Sequence, residues 1–358
     1  MRGWPSVLGC VCADLKVYTN RPLQGPRESP LVVAWGVITL GASLYKGAPM
    51  KIRELATGLQ FPEGPVALDD GSVLLVEIAR GTLSRVTLDG RVHVVADLGA
   101  GPNGAAIGPD GAVYICNNGG FEWTRDPGNC LRPIGQAHDY SGGRIERVNL
   151  NTGKAERLYE AVDGIGLRGP NDLVFDAHGG FYFTDLGKVR HHEMDRGGLF
   201  YAQPNGSGVH AVARPVMTPN GIALSPDGQT LYYAETEGAR VWAFDVTAPG
   251  QVRKDPWPSP QGARMVTASP GGHYQRFDSM AVDAQGNICV ATLLHGGISI
   301  VSPDGQAVEH VPLPDPYTTN ICFGGPGHRT AYITLSGTGR LIAVDDWPVA
   351  GLRLNFNA

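Results

Sequence analysis

Six times along these 358 residues a short polar step leads into an apolar run, a glycine turn and a second strand-like run. The steps are Glu63, Asn103, Asn171, Asn220, Asp278 and Asn320. The register shows in P-E-G-P-V-A-L-D-D-G-S-V-L-L-V from Pro62, N-D-L-V-F-D-A-H-G-G-F-Y-F-T-D from Asn171 and N-G-I-A-L-S-P-D-G-Q-T-L-Y-Y-A from Asn220. Self-similarity at a fixed period marks a propeller or array. From Glu63 to Asn320 the chain covers 257 residues in five steps, about 51 each. That length accommodates four short strands and their turns. The pattern predicts an all-β fold, a six-bladed β-propeller, whose first strand in each blade lines the axis. The six polar residues then form one ring. The longest step, Asn103 to Asn171, spans 68 residues and contains Trp123 to Tyr140, expected to form a loop over one mouth of the channel.

The 50 glycines and 27 prolines agree with this reading, because the glycines fall in D-G, G-G and N-G pairs between strand-like runs, as hairpins require. No amphipathic helical stretch or linker-like change of composition follows Met50. A net charge of -5 without a Lys/Arg run argues against nucleic acid as a partner. The six cysteines include no C-x-x-C pair, so zinc-ligand spacing is absent. Cys116, Cys289 and Cys322 lie in apolar runs and read as buried, reduced thiols of a cytoplasmic protein. No G-x-S-x-G or G-x-x-x-x-G-K-[ST] motif occurs, which argues against a serine esterase and against phosphate-loop chemistry.

Residues 1–49 do not fit the repeat. The uncharged run Leu31 to Tyr45 is too short for a secure membrane span. The segment reads as an anomalous extension, disordered or non-native, with residues 50–358 as the propeller domain. A cleaved export signal is the second reading, although the stretch before its apolar core is long for one. Lys51 to Leu59 alternates and precedes the first inner strand, so it is expected to supply the outer strand of the last blade. That would close the ring and leave no open edge.

Glu63 and Asp278 bring two carboxylates to one axis, and the asparagines bring amide oxygens. Like charges repel there unless a cation sits between them or one is protonated. Oxygen donors without His or Cys suit Ca²⁺, Mg²⁺ or Mn²⁺ better than a structural zinc. Any single P-N-G is more often a turn than a ligand. The shared position, roughly eight residues before the turn glycine in nearly every repeat, is what favours a site.

F-P-E-G-P at Phe61 to Pro65, P-N-D with G-G-F-Y-F-T-D at Pro170 to Asp185, P-N-G-I-A-L-S-P-D-G at Pro219 to Gly228, and F-D-S-M-A-V-D at Phe277 to Asp283 resemble the senescence marker protein/gluconolactonase family. Regucalcin belongs to that family and diisopropyl fluorophosphatase is a relative. The resemblance covers about residues 50 to 345, and the G-G-F-Y-F-T-D segment and D-S pair look most like the bacterial drug-responsive lactonases. It implies a six-bladed propeller with one divalent ion on the axis, Ca²⁺ first, with Zn²⁺, Mg²⁺ or Mn²⁺ as alternatives. Carried over by motif, Glu63, Asn220 and Asp278 are ligands, and Asp278 is also the general base. Asn171 binds the metal or touches substrate through water. Asn103 and Asn320 face the axis on the substrate side.

Members acting on sugar lactones often carry an arginine two residues before the third-blade asparagine. Gly169 stands there, with Arg168 displaced by one position. His295, in T-L-L-H-G-G, is read as a substrate contact or acid/base against the commoner surface role, and the His191-His192-Glu193 cluster as a solvated loop.

The resulting expectation is a metal-dependent hydrolase that opens a lactone, with a small-molecule lactone as partner and neither nucleic acid nor membrane. The alternatives are an organophosphate or other ester hydrolase on the same metal, and a non-catalytic calcium-binding propeller.

Overall fold

The computed structural model describes residues 51–268 and 272–357, so the expectations for residues 1–49 lie outside the described residues. Six antiparallel sheets form the blades, each built outward from an inner strand. The inner strands are Pro62–Ala67, Pro102–Ile107, Pro170–Phe175, Pro219–Leu224, Arg276–Val282 and Thr318–Gly324. Each packs on the next, and the last packs on the first, which closes a six-bladed β-propeller.

Closure is made as the alternation of residues 51–59 suggests. Lys51–Ala56 pairs antiparallel with Arg340–Asp345 and completes the sixth blade. Arg53 Nε lies 2.5 Å from Asp345 Oδ2 across that seam. Ala56 and Leu59 are buried with Val73, Leu75, Leu341 and Ala343. The earliest described strand is thereby tied to the end of the ring.

The hairpins joining first and second strands turn on glycines, among them the D-G pair at Gly111, the G-G pair at Gly179 and the Q-G step at Gly286. Gly111 at φ +72°, Gly179 at +88° and Gly286 at +84° occupy a left-handed conformation that costs glycine little. The preceding aspartates accept backbone N–H groups, as Asp110 Oδ1 does from Ala112 at 3.2 Å. These turns define the lower rim of the ring. The upper rim is where the inner strands begin.

The core lies between blades rather than at the axis. Tyr114, Cys116 and Ile145 of blade two interleave with Phe181, Phe183 and Phe200 of blade three. Cys289, Ala291 and Ile298 of blade five do the same with Ile333, Ile342 and Val344 of blade six. Both strand faces are buried, which is why the strands read as continuous apolar runs. Cys116, Cys130, Cys289 and Cys322 are buried and free. Among the described residues no helix is long and apolar enough to cross a membrane.

The excess length of blade two is a separate two-stranded hairpin, Phe121–Arg125 with Leu131–Gln136. It rises from the upper rim and reaches two other blades. The Trp123 ring lies 5.0 Å from that of Phe61 in blade one, and Leu131 N–H donates to Gly337 O of blade six at 2.8 Å. The loop expected over one mouth is thus an ordered roof.

Candidate functional site

All six polar steps sit near the upper ends of the inner strands, and all are buried. A local irregularity recurs at each. The register with the second strand slips between Glu63 and Val66, and likewise at Pro102/Ala105, Pro170/Leu173, Pro219/Ile222, Phe277/Met280 and Thr318/Asn320. Such bulges re-aim side chains out of the regular pleat. In three strands the next residue is glycine for a packing reason. A Cβ on Gly104 would lie 2.5 Å from Asn171 O, and one on Gly221 would lie 2.7 Å from Met280 N. Neighbouring strands touch there, so E-G and N-G mark close approach rather than turns.

Blades five and six carry Ser279 and Ile321 at that position, and blade three carries a second polar group, Asp172 after Asn171. Asp172 is buried, and its carboxylate interacts with both Glu63 and Asp278. The bore therefore carries three acids where the sequence reading named two. The one signal for the third was an acid at the position where three other strands carry glycine.

Glu63 Oε2 accepts from Asn320 Nδ2 and from Gly64 N–H, each at 2.8 Å. Asn320 also uses Oδ1 on Ile321 N–H at 2.7 Å, so its amide is committed to holding Glu63. Asn220 Nδ2 donates to Thr236 Oγ1 at 3.1 Å, while Ser279 Oγ meets its Oδ1 at 3.4 Å. Asn171 Oδ1 is buried without a hydrogen-bond partner.

Burial, followed by mutual repulsion, disfavours charge on these acids. Burial pushes Glu63 up to about 7 despite the hydrogen bonds from Asn320 and Gly64. Asp172 rises to about 7 through burial and then the field of Glu63. Asp278 is raised well above the usual range by burial, then by Glu63, against a hydrogen bond from Asn220. A cation among them would reverse this balance by favouring the ionised forms. Among the described residues no group of three or more His, Cys, Asp or Glu side chains is arranged to hold a metal ion. Amide oxygens would have to complete any such site. Hard oxygen donors and an unpartnered Asn171 Oδ1 fit a hard divalent ion.

The sequence profile described as the SMP-30/Gluconolactonase/LRE-like region matches residues 61–337. This chain belongs to that family. It is 26% identical over 326 residues to a gluconolactonase of Zymomonas mobilis, covering 83% of this chain and 82% of that protein. Lactonase drp35 of Staphylococcus saprophyticus is 28% identical over 261 residues, covering 72% of this chain and 71% of that protein. Among solved structures, a regucalcin from Agrobacterium tumefaciens described as a calcium-binding protein superposes with TM-score 0.65 at 20% identity, over 84% of this chain and 95% of that one. That last likeness concerns the fold alone.

Within this SMP-30/gluconolactonase-type propeller the remaining expected residues fall in two places. Asn103 joins the buried ring from blade two. His295 lies exposed on the upper rim of blade five, its ring stacked between His273 at 4.6 Å and His310 at 4.3 Å. His191 and His192 bond each other on an exposed loop, and Glu193 pairs with Arg190. Arg168 donates its backbone N–H to Asp185 Oδ2 at 2.7 Å.

Below the acids, a cavity of about 900 Å³ runs from Gly64, Asp172 and Asn320 toward the lower turns, walled partly by Leu352 and Asn355. Above them, Phe61, Trp123, Phe121 and Tyr317 form an aromatic wall under the hairpin, with centroid distances of 5.0 to 6.2 Å.

Proposed function

We propose that this chain is a divalent-metal-dependent lactonase, a carboxylic ester hydrolase that opens a cyclic ester at the propeller axis. The observation that supports it best is the gathering of Glu63, Asp172 and Asp278 with the unpartnered Asn171 Oδ1 in one buried bore. The relatives named gluconolactonase and lactonase point to the same reaction class. Held by Glu63, Asn171, Asn220 and Asp278, one divalent cation, calcium first among them, would draw electron density from the lactone carbonyl and steady the developing oxyanion.

The protein's own groups do the rest. Asp278 takes a proton from the attacking water as its oxygen bonds to the carbonyl carbon. That proton returns to the ring oxygen as the ester bond breaks, which leaves a hydroxy acid. Asn320 fixes the Glu63 carboxylate, and Asn103 faces substrate. The aromatic wall and hairpin limit water, which strengthens electrostatic interactions inside the bore. Among the described residues, the buried free thiols of Cys116, Cys130, Cys289 and Cys322 favour a reducing, cytoplasmic setting.

The test is a panel of lactones and a fluorophosphate, each assayed with calcium and with chelator. Turnover of at least one lactone, lost on chelation and restored by the ion, is expected. Turnover of the fluorophosphate alone would favour the organophosphatase reading. Metal binding with no turnover would leave a calcium-binding propeller.

A further inference from the structure

The upper rim of blade three buries a lysine that the proposed reaction does not use. Lys188 is 1% exposed, in the loop between Phe181–Asp185 and Gly197–Ala202. Its Nζ donates to Gly120 O at 2.8 Å and to Asn118 Oδ1 at 3.3 Å. The same atom lies 4.2 Å from the Phe121 ring centroid and 5.2 Å from that of Tyr140. Its partners are thus a carbonyl, an amide oxygen and two ring faces. Asp185 and Asp195 act on it through their field, against a burial that pulls its pKa down to about 7.

All four partners belong to blade two and bracket the roof hairpin. Gly120 O also accepts the Ala137 N–H that closes the hairpin's base, and Tyr140 OH ties back to Arg168 O at 2.7 Å. On its own side Lys188 is anchored through its backbone, its N–H meeting Asp195 Oδ2 at 3.2 Å. A buried ammonium hydrogen-bonded to a carbonyl and an amide oxygen rather than to a carboxylate is a poor stability device, since an apolar side chain of similar volume often does as well or better. The location accounts for it. The ammonium joins the root of the hairpin to the neighbouring blade, while the hairpin's far end rests on Phe61 and Gly337.

We propose that Lys188 is the positioning residue that latches the hairpin 121–136 over the mouth of the bore and so sets how tightly substrate is held. The substrate half of this rests on the lactonase reading. The latch itself does not.

The experiment is Lys188→Met on the full chain, read by hydrogen exchange without substrate and by lactone kinetics with calcium. Exchange of hairpin amides is expected to rise by about tenfold or more while blade amides stay unchanged. KM should rise by about tenfold with kcat within about threefold. Phe121→Leu, which removes the ring on the hairpin side, should raise hairpin exchange in the same way, and that exchange decides the matter if the lysine variant does not fold. Unchanged hairpin exchange in a folded variant overturns the proposal. So does a loss confined to kcat, which would make Lys188 a chemical rather than a positioning group. Because exchange needs no turnover, it tests the latch even if no lactone is hydrolysed.

Discussion

Asp278→Asn is expected to keep the propeller folded and to lower kcat/KM for the hydrolysed lactone by about three orders of magnitude or more. The substitution is nearly isosteric, so packing in the fifth inner strand should survive. Stability should hold or improve, because the variant removes a buried acid that repels Glu63 and Asp172. Two losses fall on activity together. The proton acceptor for the attacking water disappears, and the axial site loses one negative charge that would hold a cation. The check is steady-state kinetics beside thermal melting of both proteins. Wild-type turnover in the variant would remove Asp278 from the mechanism. Asp172 would then be the base to examine, since it lies in the same bore and is held close to neutral pH.

Removing residues 1–59 is expected to send most of the protein into the insoluble fraction, whereas removing 1–49 should leave the melting temperature unchanged. The difference lies in ten residues. Lys51–Ala56 covers the outer edge of Arg340–Asp345, and Leu59 N–H bonds Gly339 O at 3.0 Å. Without them the sixth blade ends in an open strand edge of the kind that pairs with other chains. The apolar cluster of Val73, Leu75, Leu341 and Ala343 also loses Ala56 and Leu59. Expression and melting of the two truncations decide it. Equal melting temperatures would mean that closure does not depend on this strand.

The ring architecture was legible because its signal repeats. One asparagine before a glycine says little, but six polar residues in the same register define a strand position, and strands at that position converge on an axis. The closing strand was legible from its alternation directly before Phe61, and the roof from the surplus length after Asn103. Asp172 was missed because Asn171 already filled the expected position. Its importance depends on a bulge that brings consecutive side chains toward the bore, and periodicity alone does not reveal bulges. Lys188 carried no local signal at all. Its hydrogen-bond partners, Asn118 and Gly120, are 70 and 68 residues earlier in the chain, and only the packing of blade three on blade two brings them together. The glycines beside the polar residues were read as turns, whereas Gly104 and Gly221 are small because neighbouring strands touch them.

On the proposed reading, Glu63, Asn171, Asn220 and Asp278 hold one divalent ion between them. Anomalous scattering from a crystal grown with calcium tests it most directly. A single peak is expected on the propeller axis, within about 2.3–2.6 Å of oxygens from those four side chains. A calcium-loaded crystal with no peak in the bore, or with the ion held elsewhere, would contradict it.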